Sequence, residues 1–147
     1  TITTKNEAEM IQHAITIATS IGIADIEVHV SHTNLCSNLN DTEITNLKNG
    51  IFTDQAELPN KTPLNKTSHP LFTDLSTHLS SNNVFINHSL YKDPSYYNGI
   101  YFDIVSPSYG KVLGSGGRYD HVLNTFKLNS NACGFAYNMH HLEKAQS

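Results

Sequence analysis

Apolar residues recur at three- and four-residue spacings early in the chain, at Met10, Ile11, Ala14, Ile15, Ile17, Ala18 and Ile21. This is the period of one face of an α-helix, and it predicts a helix over about residues 5–21 with Gly22 as its stop. Thr4-Lys5-Asn6-Glu7 has the form of a capping box, in which a hydroxyl and a carboxylate satisfy free amides at the helix start. From Asp25 to His32 the period changes to two. Ile26, Val28 and Val30 fall on one side and Glu27, His29 and Ser31 on the other, which predicts a half-buried strand.

Residues 33–69 carry no sustained period. Asp41-Thr42-Glu43-Ile44 can open a short helix closed by Asn49-Gly50, and Pro59, Pro63 and Pro70 punctuate the rest, so small helices joined by loops are expected. After His69-Pro70 the helical period returns, with Leu71, Phe72, Leu75 and Leu79 on one stripe and an end near Ser80 to Asn83. Three strands follow at 84–90, 99–105 and 111–115, with prolines in both links. Links this short favour antiparallel neighbours, because a parallel pair needs a longer crossover. A helix over 119–126, a strand over 132–137 and a helix from 139 to 145 complete the pattern. The order predicts an α+β fold in one domain, 1–147, with an antiparallel sheet flanked by helices.

Composition narrows the functional classes. At 147 residues the chain can bury a sizeable core. A net charge of −4 offers no basic field for a phosphate backbone, so no nucleic acid is expected as a partner. No apolar run approaches the ~20 residues that span a bilayer, and no signal peptide opens the chain, so no membrane partner is expected and the setting is cytoplasmic. Cys36 and Cys133 form no C-x-x-C unit, and two buried or idle thiols are favoured over a disulfide or a redox pair. The glycosylation sequons at Asn40, Asn60, Asn65 and Asn87 are what an Asn- and Thr-rich chain produces by chance.

The candidate chemistry lies in Tyr96-Tyr97-Asn98-Gly99-Ile100-Tyr101-Phe102-Asp103 and Gly114-Ser115-Gly116-Gly117-Arg118-Tyr119-Asp120. Arg118 is the only arginine in the chain. Gly116 and Gly117 allow positive φ or a close approach to a ligand or neighbouring strand, which suits a pocket floor. If Tyr96 or Tyr97 converges with Tyr119, their rings form an aromatic wall able to hold a small polar ring; core packing is the equal alternative. Arg118 likewise has two readings, a pocket residue or an ion pair with Asp103 or Asp120. Nine histidines invite a metal, but no H-E-x-x-H or H-x-H is present, and His140 and His141 would diverge by about 100° on a helix. Gly114-Ser115-Gly116 lacks the spacing of a nucleophile elbow, and the glycines do not match a dinucleotide fingerprint. No cofactor is called for.

Three motifs in order, Tyr96 to Phe102, Gly116 to Asp120, and Gly134-Phe135-Ala136 with Leu142, resemble the two histidine-specific motifs and the third class motif of class II histidyl-tRNA synthetases. The resemblance covers most of the chain outside the irregular middle. It implies the C-terminal part of a class II synthetase-like catalytic core, with Tyr96, Tyr97, Gly116, Gly117, Arg118 and Tyr119 lining a histidine-like pocket. Two departures matter. Where synthetases carry Arg-Gly-Leu-Asp before the tyrosines this chain has Lys92-Asp93-Pro94-Ser95, and in the third motif a glycine and a nucleotide-binding arginine become Asn138 and His141. Neither lysine nor a mostly neutral histidine reproduces a guanidinium fork.

The chain is therefore closer to a catalytically silent branch, the regulatory subunits of ATP phosphoribosyltransferase in histidine biosynthesis. That resemblance implies no catalytic residues, a short-form ATP phosphoribosyltransferase catalytic subunit as partner, and histidine as a ligand. The alternative is a degenerate histidyl-tRNA synthetase or other amino-acid-activating enzyme. The resemblance begins after the first two class motifs, so the chain is expected to be a fragment with an unpaired sheet edge that self-associates.

Overall fold

The computed structural model describes residues 1–36, 42, 61–79 and 81–146. Helix α1 spans Thr4–Ser20 and buries Ala8, Met10, Ile11, Ala14, Ile15 and Ala18. Ile17, part of the same expected stripe, points outward and is 42% exposed. The capping box is set one residue earlier than the sequence suggested. Thr3 is the N-cap: its hydroxyl accepts from the Asn6 amide, and Asn6 Oδ1 accepts from the Thr3 amide. Glu7 is thereby released from capping. At the other end Gly22, at φ 96°, lets Gly22 N–H reach Thr19 O and Ile23 N–H reach Ala18 O, closing the helix.

Six strands form one sheet in the order β2-β3-β1-β4-β5-β6. They are β1 (Glu27–His32), β2 (Lys61–Pro63), β3 (Val84–Asn87), β4 (Ile100–Ser106), β5 (Lys111–Arg118) and β6 (Cys133–Tyr137). Neighbours are antiparallel except β1 and β3, which run parallel across the long connection between them. The sheet is thus mixed, with antiparallel strands carrying the motif residues.

The stretch read as irregular contains a strand. A 3-10 turn at Thr33–Cys36 follows β1 and another at Leu64–Lys66 follows β2, which escapes periodicity because it is three residues long and ends in a proline. The helix expected over 41–50 falls almost wholly outside the described residues. Helix α2 is short, Thr73–His78, since the chain leaves Pro70 through a turn in which the Phe72 and Thr73 amides donate to His69 O. β3 stops at Asn87 because its side chain accepts the Ser89 amide and starts a turn. β5 continues three residues beyond expectation, so the double glycine lies inside a paired strand.

Alternation along the strands sorts side chains to two faces. Val28, Val30, Val84, Ile86, Phe102 and Ile104 share the face covered by α1 and α2, and form the core with Phe72, Leu75 and Leu79. Helix α3 (Asp120–Thr125) leaves β5, and α4 (Met139–Gln146) packs on it through Leu142. A bulge between Ile104 and Val105 shifts the β4–β5 register by one residue at Leu113. No helix is long and apolar enough to cross a membrane among the described residues.

Candidate functional site

The motif residues converge at one end of β4, β5 and β6, but on two different faces. On β5, Gly117 faces away from the core. A Cβ there would lie 2.7 and 2.8 Å from two ring carbons of Tyr97 and 2.7 Å from Ile100 O, so the glycine is the seat of the Tyr97 ring. Gly134, its partner on β6, stands beneath Tyr119, whose hydroxyl is 3.0 Å from a Cβ built there. The tyrosines do form a wall. Tyr96 and Tyr119 stack with centroids 5.9 Å apart, Tyr96 meets Tyr97 edge-on at 4.8 Å, and Tyr97 leans on Tyr101 at 5.9 Å. Burial, then the nearby Tyr96, Asp103 and Tyr119, push the Tyr97 hydroxyl's pKa above its ordinary value, so it is a neutral donor.

The same face carries a polar floor. Lys92 Nζ lies 2.7 Å from Asp103 Oδ1 and 3.4 Å from Ser115 Oγ, and Ser115 donates to Asp103 at 2.6 Å. Asp103 and Ser115 are a cross-strand pair, which is why a seven-residue strand and an eight-residue strand place them together. Further along, Lys61 donates to Glu27, Glu27 accepts from His29 Nε2 at 2.9 Å, and His29 Nδ1 accepts from Asn87 at 3.1 Å. Burial pushes the Glu27 carboxyl up, but hydrogen bonds from His29 and Lys61 and the lysine charge outweigh it and hold the pKa low. Glu27, His29, Asn87 and Asp103 border a cavity of about 420 Å³.

This face was expected to be the open side of β1. His29 is instead 5% exposed and Ser31 fully buried. The segment after β3 crosses it, tied down where Tyr101 Oη donates to Leu90 O and where Lys92 reaches Asp103. His29, Asn87 and Asp103 are tolerable here because each has a hydrogen-bond partner, whereas the Ser31 hydroxyl has none among the described residues.

Gly116 and Arg118 turn the other way. A Cβ on Gly116 would strike Gly134 O at 2.5 Å, the Phe102 ring at 2.6 Å and Phe135 Cβ at 2.7 Å, so this glycine admits core packing and is not a pocket floor. Neither Gly116 nor Gly117 needs positive φ. Arg118 donates from Nε to Asp120 Oδ2 at 2.9 Å, and its Nη1 stands 3.7 Å from Glu7 Oε1. Asp120 also accepts from Asn98 and from the Ala132 amide, which together with Arg118 outweigh burial and hold its carboxyl below the usual range. Of the two ion pairs weighed for Arg118, Asp120 is the one formed; Asp103 belongs to Lys92.

Tyr96, Tyr97, Gly117 and Tyr119 therefore form one constellation, while Gly116 and Arg118 support it from behind. Sequence reasoning missed Glu7, assigned to capping, and the Lys92–Asp103–Ser115 group, whose signal was the shared strand parity of Asp103 and Ser115. His141 does not line the wall: its Nδ1 meets Tyr109 Oη at 2.9 Å. Cys133 is partly buried, and burial raises its thiol pKa, so it is a protonated thiol. Among the described residues no three His, Cys, Asp or Glu are arranged to hold a metal ion.

The family model described as "Histidyl-tRNA synthetase" matches residues 54–142, more than half of the chain. The ATP phosphoribosyltransferase regulatory subunit of Carboxydothermus hydrogenoformans is 43% identical over 51 residues, 35% of this chain and 16% of that protein. The subunit of the same name from Bacillus pumilus is 40% identical over 57 residues, 39% of this chain and 15% of that protein. The match thus spans about one sixth of the length of these relatives. A crystal structure titled as an ATP phosphoribosyltransferase regulatory subunit/histidyl-tRNA synthetase from Bacillus halodurans superposes with a TM-score of 0.81 at 20% identity, over 99% of this chain and 50% of that one. The superposition supports the mixed sheet with flanking helices as a class II synthetase-type fold. With the motifs, the fold and the model match in agreement, the chain belongs to the histidyl-tRNA synthetase family.

Proposed function

We propose that this chain is the synthetase-like part of a non-catalytic regulatory subunit of ATP phosphoribosyltransferase, acting in the first step of histidine biosynthesis in the cytoplasm. The observation that carries the reading is Lys92. It stands where synthetases place an arginine, and its ammonium is bound by Asp103 and Ser115 of the chain itself, so it offers no fork to a phosphate or carboxylate. The names of the two curated relatives point the same way. The tyrosine wall over Gly117 and Gly134 is the histidine-sensing pocket: neutral hydroxyls and ring faces suit an imidazole, with Arg118 and Gly116 holding the wall from behind. The partner is a short-form catalytic subunit, whose assembly histidine biases toward an inactive state.

Self-association through the outer edge of β6, which pairs only with β5 among the described residues, belongs to the same proposal. The strand Cys133–Tyr137 carries no charge or proline to blunt pairing. Size-exclusion chromatography giving a concentration-independent monomer refutes that part. The regulatory role is tested by assaying phosphoribosyl transfer by a short-form catalytic subunit with and without the protein carrying this chain. Activation that falls when histidine is added is the expected result. No activation, or histidine-dependent ATP–pyrophosphate exchange by the protein alone, overturns the reading in favour of an amino-acid-activating enzyme.

A further inference from the structure

A second cavity, of about 640 Å³, opens on the opposite side of the sheet from the tyrosine-covered floor, between the start of α1, α2 and the ends of β1 and β5. Glu7 lines it and is only 7% exposed, yet its one ion-pair contact among the described residues is Arg118 Nη1 at 3.7 Å, beyond hydrogen-bond length. Arg118 is already committed through Nε to Asp120. Asp74 from α2 lines the same cavity. Glu7 and Asp120 thus share one guanidinium, and Asp74, whose side chain is 69% exposed, adds a third carboxylate at the cavity's rim. Burial, then these neighbouring carboxylates against the pull of Arg118, leave the Glu7 pKa above its ordinary value.

His32 does not supply the missing cation. Its Nδ1 accepts the Asn34 amide at 3.0 Å, and burial together with His69 lowers its pKa, so it is a neutral ring at physiological pH. Leu71, Ile100 and Tyr97 give the rest of the wall an apolar patch, beside the polar Thr4, Thr33, Asn34, Asn98 and His121. A pocket with a buried, incompletely paired carboxylate at one end and an apolar patch beside it matches a small molecule with an ammonium head and a hydrophobic body.

We propose that this cavity binds a small organic amine, its ammonium seated between Glu7 and Asp74 and its apolar body against Leu71, Ile100 and Tyr97. The site shares Tyr97 with the tyrosine wall but is set apart from it by its charged end at Glu7, and it is independent of the regulatory reading. A neutral isostere cannot satisfy the buried carboxylate, so discrimination should rest on charge.

The test is titration of phenethylamine, N-acetylphenethylamine and putrescine into the full 147-residue chain, followed by calorimetry and by amide shifts of residues lining the cavity. Phenethylamine should bind, putrescine more weakly for lack of an apolar body, and the acetylated compound at least about tenfold more weakly. Glu7→Gln should weaken phenethylamine about tenfold. Asp74→Asn, at an exposed position that leaves folding intact, should weaken it a few-fold. Equal binding of the charged and acetylated compounds, no binding at millimolar concentration, or unchanged affinity in a folded E7Q chain overturns the proposal.

Discussion

Replacing Gly117 by alanine tests whether the tyrosine wall is seated as described. The added methyl would sit 2.7 Å from Ile100 O and within 2.8 Å of the Tyr97 ring. The ring can swing away; the carbonyl oxygen belongs to a paired strand and cannot. Overpacking of this kind costs about 1–3 kcal/mol, partly offset by the roughly 0.4–1 kcal/mol that alanine gains by restricting the unfolded chain. Gly134→Ala is the matched control, because its closest neighbour is the far end of a side chain, Tyr119 Oη at 3.0 Å. Its steric cost is small and the unfolded-state gain remains. The two variants should therefore differ by about 2 kcal/mol, or about 4–8 °C in Tm for a domain of this size. Thermal unfolding followed by circular dichroism reads the difference, and tyrosine fluorescence reports whether Tyr97 has left its seat. If G117A melts with G134A, the glycine is not the ring's floor and the pocket argument fails.

Thr3→Ala should lower stability by about 1 kcal/mol and Thr4→Ala hardly at all, since the N-cap hydroxyl belongs to Thr3; urea titration decides, and the reverse order refutes the cap assignment. Asp103→Ala strips the acceptor from Lys92 and Ser115 at a side chain 10% exposed and should cost about 3 kcal/mol, whereas Lys92→Met should cost less, its own side chain being 26% exposed. Equal, negligible losses in chemical denaturation would mean a solvated surface bridge. Asp25 accepts from Ser106 Oγ at 2.6 Å and the Ser108 amide at 2.8 Å, which hold its pKa below 3.8. With the folded value below the unfolded one, its contribution is full above pH 3.8 and is lost as pH falls through the folded value. The Tm gap between wild type and Asp25→Asn should thus be widest at neutral pH and close in acid; a gap that does not narrow refutes the assignment.

Long elements with a clear period were readable. The α1 stripe and the alternation of β1 followed from residue spacing, and the motif strands from their turn residues. What failed had local causes. The Ser/Thr-x-x-Glu pattern at Thr4 competed with a box one residue earlier in which Asn6 replaces the acid, and the wrong choice concealed Glu7. β2 is too short to have a period, and its partner β3 lies beyond the irregular stretch. The polar side of β1 looked solvent-facing because its partners are distant in sequence: Lys61 is 34 residues from Glu27 and Asn87 is 58 from His29. The six proposed pocket residues fall in two short runs, 96–97 and 116–119, but Gly117 and Arg118 are neighbours on a strand, which sends them to opposite sides.

The single extra residue in the β4–β5 hairpin has a consequence for that division. From Ser106 opposite Lys111, an unbroken ladder would set Gly117 across from Ile100, whereas the observed pairing is with Tyr101. Leu113 advances the phase of β5 by half a period, so that everything after it exchanges sides. Without that step Arg118 would emerge among the tyrosines and Gly117 would face Glu7's helix. The hairpin's phase, set well away from the motif, thus decides whether the chain's one guanidinium meets a ligand or a carboxylate of its own, and insertions or deletions between Pro107 and Leu113 would switch that outcome without changing a motif residue.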